Sequence, residues 1–238
     1  MKSDNDPMGH AIADYHKNGK ASRLRVFSPM FDEDEIPVKT LFRPLEEMPA
    51  IEQEALRLAC GSILDVGAGA GCHTLALQEM GKRVTAIDIS PLAVATMRHR
   101  GVVDAQEQDF FTLDGKYDTI LMLMNGIGIV GTLSRLPAFF MQVDNLLADG
   151  GEVLCDSSDL CYLFEDEDGI IDITGIDGYY GELTYRMQYK DIQGEPFPWL
   201  FIDPDTLMEH AWAHGFDAEV IARGDHYDYL ARITRRQS

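Results

Sequence analysis

The stretch Asp65-Val66-Gly67-Ala68-Gly69-Ala70-Gly71 is prepared for chemistry by its residue types and spacing. It stands where an apolar run, SILDV, gives way to a helix-like segment, HTLALQEM. Glycines at such a junction let the backbone turn sharply and come close to a ligand, and the helix start offers free N–H groups and a positive dipole end. The expected guest is an anionic or polar part of a cofactor. A nicotinamide loop would read G-x-G-x-x-G/A; here the third glycine comes one position early and Cys72 fills the expected place. Two carboxylates follow at candidate strand ends. Asp88 lies 21 residues after Gly67, where doubly wound folds place an acceptor for ribose hydroxyls, and Asp109 lies in Gln108-Asp109-Phe110-Phe111.

The elements that must position these residues are legible from periodicity. Pro49, the helical spacing of IEQEALRLAC and a stopping Gly61 predict a helix over 49–60. RVTAIDI (83–89) reads as a β-branched strand, and Ser90-Pro91 as a cap and first turn of a helix ending at Gly101. VVDAQEQDF supplies a third strand, the apolar YDTILMLMN (117–125) a fourth, and EVLCDSS (152–158) a fifth, after a helix over 133–148 closed by Gly150-Gly151. Such alternation predicts a parallel, doubly wound α/β sheet over 49–158. Beyond it, GELTYRMQYKD alternates as a half-buried antiparallel strand, Gln193-Gly194 offers its turn, FPWLFID returns, DPDTLMEHAWAHG is a helix, and AEVIAR with DYLARITRR forms a closing hairpin. Residues 1–48 read as short helices with FDEDEIP (31–37) as an acidic loop; FEDEDG (164–169) is a second solvated loop.

The D-x-G-x-G-x-G loop, with Asp88 and Asp109 in register behind it, resembles class I S-adenosylmethionine-dependent methyltransferases. The resemblance covers about residues 49–158. It implies a Rossmann-like sheet of seven strands with the last antiparallel, helices on both faces, an N-terminal helical cap (1–48), a methyltransferase domain (49–238) and an added β-hairpin lid within an insertion at 159–202. It also implies S-adenosylmethionine as cofactor: the methionine part at Asp65, Gly67, Ala68, Gly69 and Gly71, the ribose on Asp88, and the adenine against Ile89, Gln108, Asp109 and Phe110. Many members use a basic residue of the N-terminal segment on the cofactor carboxylate. Arg43 is the candidate, the alternative being an ordinary surface ion pair. Tyr15 is a second lid candidate.

Methyl transfer from a sulfonium is an in-line displacement, so alignment matters more than a catalytic triad. The acceptor belongs beyond the fourth and fifth strands, which singles out Asn125 and Asp156. Asn125 either holds an acceptor atom or caps the turn into Gly126, and it also borders the cofactor crevice; Asp156 is either a general base or a loop cap. Tyr162, Phe164, Tyr179, Tyr180, Tyr185, Tyr189, Phe197, Trp199 and Phe201 crowd the insertion, as an aromatic lid or as packing. His210 and His214 share a helix face without a third ligand, and no metal site is expected.

Composition narrows the acceptor. Of 238 residues, 20 are Lys or Arg and 40 Asp or Glu, a formal charge of −20, which disfavours nucleic acid and anionic membranes. A small molecule is the leading class; a protein methyltransferase and a non-catalytic Rossmann-like nucleotide-binding module are the alternatives. The sequence carries no secretory or transit signal and no run long enough to span a bilayer, and its four cysteines lack a C-x-x-C pair, so a reduced cytoplasmic setting is expected.

Overall fold

Apolar β-branched runs separated by capped helices cannot bury both faces of a strand unless helices cover each side, and the chain meets that demand with a doubly wound sheet. The computed structural model describes residues 5–166 and 168–237; residues 1–4, Glu167 of the FEDEDG run and Ser238 lie outside the described residues. The units are α1 (Pro7–Asn18), β1 (Leu24–Ser28), β2 (Phe31–Ile36), α2 (Ala50–Leu58), β3 (Ser62–Val66), α3 (Cys72–Glu79), β4 (Arg83–Asp88), α4 (Pro91–Arg100), β5 (Ala105–Glu107), β6 (Tyr117–Met122), α5 (Leu136–Leu146), β7 (Leu147–Ser158), β8 (Glu182–Tyr189), β9 (Ile192–Gln193), β10 (Phe197–Leu200), α6 (Pro204–Ala213), β11 (Phe216–Arg223) and β12 (Asp228–Arg235).

The main sheet has the order β11-β12-β7-β6-β3-β4-β5. Strands β3 to β7 pair in parallel, and β12 runs antiparallel to β7 and β11, the single reversed strand expected. Both faces are buried: Leu64, Ile120 and Met122 pack with Phe139 and Phe140 of α5, and Ile63 and Leu121 with Leu56 and Leu77 of α2 and α3. Local signals behave as read. The Ser90 hydroxyl accepts from Ala93 N at 3.0 Å, Pro91 opens α4, and Gly101 ends it at φ +97°. Asp203 caps α6.

A second sheet, β10-β8-β1-β2 with β9 beside β8, contains the anticipated hairpin. Here several expectations are corrected. The helical reading of the N-terminal segment holds for α1 and for the short 3-10 turns at Val38–Phe42 and Leu45–Glu47; residues 24–36 instead form the hairpin β1–β2, and the acidic "loop" 31–36 is its edge strand. An edge strand needs no apolar alternation, and its charges discourage pairing with other chains. Arg23 and Arg25 meet Glu35 and Glu33 across the pair. The tight turn after β8 falls at Lys190-Asp191, with Lys190 at φ +52°, because Tyr189 already pairs with Ile192 ahead of Gln193-Gly194. The helix read to 148 ends at Leu146, since Leu147 joins β7 opposite Tyr117, and the third strand shrinks to 105–107.

Candidate active site

The loop from β3 to α3 carries three positive-φ glycines: Gly67 at +69°, Gly69 at +56° and Gly71 at +79°. L-residues with side chains rarely adopt such angles. The three are not equivalent. At Gly71 a Cβ would press on Val102 at 3.0 Å and Met97 at 3.1 Å, whereas at Gly67 it would meet no protein atom within 4 Å. Gly71 therefore serves packing, and Gly67 faces open space. Gly67 and Ala68 donate to the Ile87 carbonyl, and Gly69 N donates to Asp88 Oδ2 at 2.9 Å. Ser90 N donates to the other Asp88 oxygen at 2.8 Å. Burial pushes the Asp88 carboxyl up to about 6, against the two N–H groups, while Asp6 and Asp65 add to the rise. A carboxylate accepts about four hydrogen bonds, so two directions remain for hydroxyls.

Ile89, beside Asp88, is 47% exposed, an unusual exposure for so large an apolar side chain. Asp109 is exposed and accepts from Phe111 N at 2.9 Å; half-buried Gln108 donates its amide to Thr112 and its backbone N–H to the Asp88 carbonyl. Phe110 corrects an expectation: its ring is withdrawn into the core against Phe139, because the 3-10 turn at 110–112 faces α5. Asp65 differs too. It is buried and accepts from Thr74 Oγ1, so it braces the first turn of α3 from behind the loop, and burial raises its carboxyl.

Beneath that turn lies a cluster that sequence reading missed. Arg43 donates to both oxygens of Glu52, which also meets His73 Nε2 at 2.8 Å. Arg43 therefore belongs to a buried pair and not a surface one: its side chain is 10% exposed and that of Glu52 5%. Burial opposes the charge on Glu52, but the hydrogen bonds and charges of His73 and Arg43 outweigh it and hold the carboxyl below its usual range. The same contact, helped by Asp65, holds His73 above its usual range against burial. One Arg43 donor, Nε, is buried without a partner among the described residues. Burial pushes the Cys72 thiol up to about 12, so it offers no thiolate.

At the far end of the crevice β6 runs into two left-handed residues, Met124 at φ +62° and Asn125 at φ +56°. Asp156 fixes them, accepting from Met124 N at 3.0 Å and Gly126 N at 3.2 Å. It is thus a loop cap, yet burial pushes its carboxyl up to about 7. Asn125 Nδ2 donates to the Leu200 carbonyl at 3.1 Å, and Asn125 Oδ1 is the second buried polar atom without a partner among the described residues. Gly128 lies directly under Trp199, where a Cβ would collide with the indole. Helix α1 closes the near side, with Ile12 against Ala70 and Ala93, and Tyr15 sits on Phe42 at 4.6 Å. His210 and His214 stack on each other, and His214 on Phe140; no metal-ligating group of three occurs among the described residues.

Gly128→Ala tests the link between the second sheet and this site. The rigid indole must move, so the variant is expected to retain cofactor affinity within about twofold while losing about tenfold or more in turnover; titration and initial rates check both.

A glycine loop, a carboxylate at the end of the neighbouring strand and one reversed strand in seven define an α/β fold for a nucleoside-bearing cofactor. Residues 63–151 match the family model "Methyltransferase domain". A SAM-dependent methyltransferase from Bacteroides fragilis, solved in complex with S-adenosyl-L-homocysteine, is 58% identical, with a TM-score of 0.94 over 100% of this chain and 98% of that one. The cypemycin N-terminal methyltransferase of Streptomyces sp is 29% identical over 103 residues, 41% of this chain and 42% of that relative, so the chain spans less than half of its length. In fold alone, the sugar N-methyltransferase KedS8 from Streptoalloteichus sp resembles it at 17% identity, with a TM-score of 0.54 over 83% of this chain and 88% of that one. The chain belongs to the class I S-adenosylmethionine-dependent methyltransferases. No described helix is long and apolar enough to cross a membrane.

Proposed function

We infer that this enzyme transfers the methyl group of S-adenosylmethionine to a metabolite-sized acceptor lying beyond β6 and β7. The carrying observation is Asn125 Oδ1, a buried acceptor without a donor at that strand end. An N–H or O–H of the acceptor molecule would satisfy it, as buried polar groups require. The cofactor fits the residues present. Open space at Gly67 admits its methionine chain between Gly67 and Gly71, the unpartnered Arg43 Nε–H suits its carboxylate, Asp88 keeps lone pairs for the ribose, and exposed Ile89 with Asp109 suits the adenine. When bound, S-adenosylmethionine supplies a methyl group activated on a sulfonium.

The chain's part is positioning. Asp156 holds the 124–126 backbone so that Asn125 is aimed, and Asn125 orients the acceptor for in-line attack. The segment 5–48 and the insertion 159–202 act together as one cover, because β1 and β2 share a sheet with β8 and β10. The net charge of −20 favours a small acceptor over nucleic acid, and the four free thiols suit a reducing cytoplasm. Asn125→Ala is expected to bind S-adenosylhomocysteine normally in calorimetry while methyl transfer falls about 100-fold. Heat with NAD and none with S-adenosylhomocysteine would overturn the reading.

A further inference from the structure

The carboxyl end of the main sheet continues past Asn125 on the side away from the cofactor. In the order β12-β7-β6-β3-β4, the glycine loop follows β3, Asp88 ends β4 and Asn125 lies just past β6. From Leu200, whose carbonyl takes the Asn125 amide, the chain crosses the next two strands. Ile202 N donates to Ser157 Oγ of β7 at 3.0 Å, and the Ile202 carbonyl accepts from the Tyr229 hydroxyl of β12 at 2.6 Å. Neighbouring strands lie ~4.8 Å apart, so the crossing moves about 10 Å from Asn125, a distance that a metabolite-sized molecule spans.

Asp203 comes next and lines a cavity of about 390 Å³ with Ile173, Ile176, Tyr179, Tyr180 and Thr206, a volume in the range of small-molecule sites. Its polar groups leave acceptors over. Tyr179 donates to Asp203 Oδ2 at 2.6 Å and Tyr180 to Asp159 Oδ1 at 2.7 Å, so both phenol protons are engaged. Burial, and then these bonds to carboxylates, push both phenols up and keep them neutral. Burial opposes the charge on Asp203, but hydrogen bonds from Thr206 and Tyr179 outweigh it and hold the carboxyl below its usual range. A carboxylate accepts about four bonds, so Asp203 keeps capacity for a ligand's donor, as does the Tyr180 oxygen. The two Tyr rings lie 4.8 Å apart. No Lys or Arg lines the cavity among the described residues, and the sequence from Asp159 to Tyr185 holds eight acidic residues and no Lys, Arg or His. The start of α6 would favour an anion, but Asp203 and Asp205 already place two carboxylates there.

Resting on the function inferred above, we propose that this cavity is the far subsite of the acceptor and takes an organic cation, an ammonium on an apolar body, with Asp203 as its counter-charge and the Tyr179 and Tyr180 rings as its walls. Aromatic rings and a carboxylate attract a cation, and the same lining repels an anion of equal size. The anchored cation is not the methylated atom, which lies about two strand spacings back, at Asn125.

Asn caps a helix as Asp does, so Asp203→Asn keeps α6 while removing the charge. Titration with S-adenosylhomocysteine comes first: no binding to wild type defeats the methyltransferase reading itself, and equal binding by the variant shows that it is folded. The loaded proteins are then titrated with 2-phenylethylammonium and 3-phenylpropionate, ions of like size and opposite charge. Wild type is expected to bind the ammonium at least about fivefold more tightly, and Asp203→Asn to lose most of that preference. In parallel, a metabolite extract is split on a cation exchanger and each fraction is supplied with methyl-labelled S-adenosylmethionine. Label is expected from the retained fraction, and Asp203→Asn should raise KM for the purified acceptor about three- to tenfold with kcat within about twofold. Ile176→Lys, which puts a tethered ammonium into the cavity, should raise KM likewise. No preference between the two ions, an acceptor in the unretained fraction, or an unchanged KM in both variants overturns the proposal.

Discussion

Replacing Asp88 by Ala is expected to weaken S-adenosylhomocysteine binding by ~1.5–3 kcal/mol, roughly 10- to 150-fold in Kd. The side chain works twice. It keeps acceptor capacity for the ribose hydroxyls, and its oxygens already tie Gly69 N to Ser90 N, so truncation also releases the glycine loop from the start of α4. The carboxyl, pushed up to about 6, adds a pH signature. Only the ionised form is a full acceptor for two hydroxyls, so affinity rises as pH climbs through 6 and is about tenfold weaker at pH 5 than at pH 8. Asp88→Asn, which keeps one acceptor oxygen, should lose that slope. Calorimetry across this range checks both, and an Asp88→Ala affinity within about threefold of wild type would contradict the assignment.

The largest effect on stability is expected at Glu52. It is the carboxylate between two buried partners, the Arg43 guanidinium and the His73 imidazole, whose proton it favours. Breaking such a cluster from one side leaves charges in a low-dielectric site, and Glu52→Ala is expected to cost about 3–5 kcal/mol, read as a lower denaturant midpoint at unchanged slope. The signs in pH follow. His73 is raised in the fold, so its contribution is full below about 6.5 and fades as pH rises through its folded value; Glu52 is lowered, so its contribution is present above about 4.5 and fades as pH falls through its folded value. In the variant the Glu52 dependence vanishes, and that of His73 loses the hydrogen bond that raised it against burial. The cofactor side feels the change as well, since Arg43 is held at the start of α3 through the same carboxylate.

These two residues show what the sequence exposes and what it hides. Asp88 was legible because strand, cap and glycine loop are local: RVTAID, Ser90-Pro91 and the three alternate glycines each state their conformation within a few residues. Glu52 was not, because IEQEALRLAC marks it as an ordinary polar position on an amphipathic helix, and its partners lie 9 and 21 residues away. The same limit hid β1 and β2. Leu24–Ser28 is a strand because β8 pairs with it across some 160 residues of chain, and FDEDEI carries no apolar alternation to announce an edge. Phe110 erred through direction: the position after Asp109 was readable, but the 3-10 turn that sends its ring inward was not. At Asn125 and Asp156 the sequence left two roles each; Asp156 caps the turn, and Asn125 keeps its oxygen unpaired.

The most direct measurement is transfer itself. Purified protein, methyl-labelled S-adenosylmethionine and a metabolite extract depleted of macromolecules are incubated, and the small-molecule fraction is examined for label alongside a parallel reaction containing the macromolecular fraction. Label in a small molecule, with stoichiometric S-adenosylhomocysteine and loss of both in Asn125→Ala, is the predicted result. Label confined to protein or nucleic acid would contradict it.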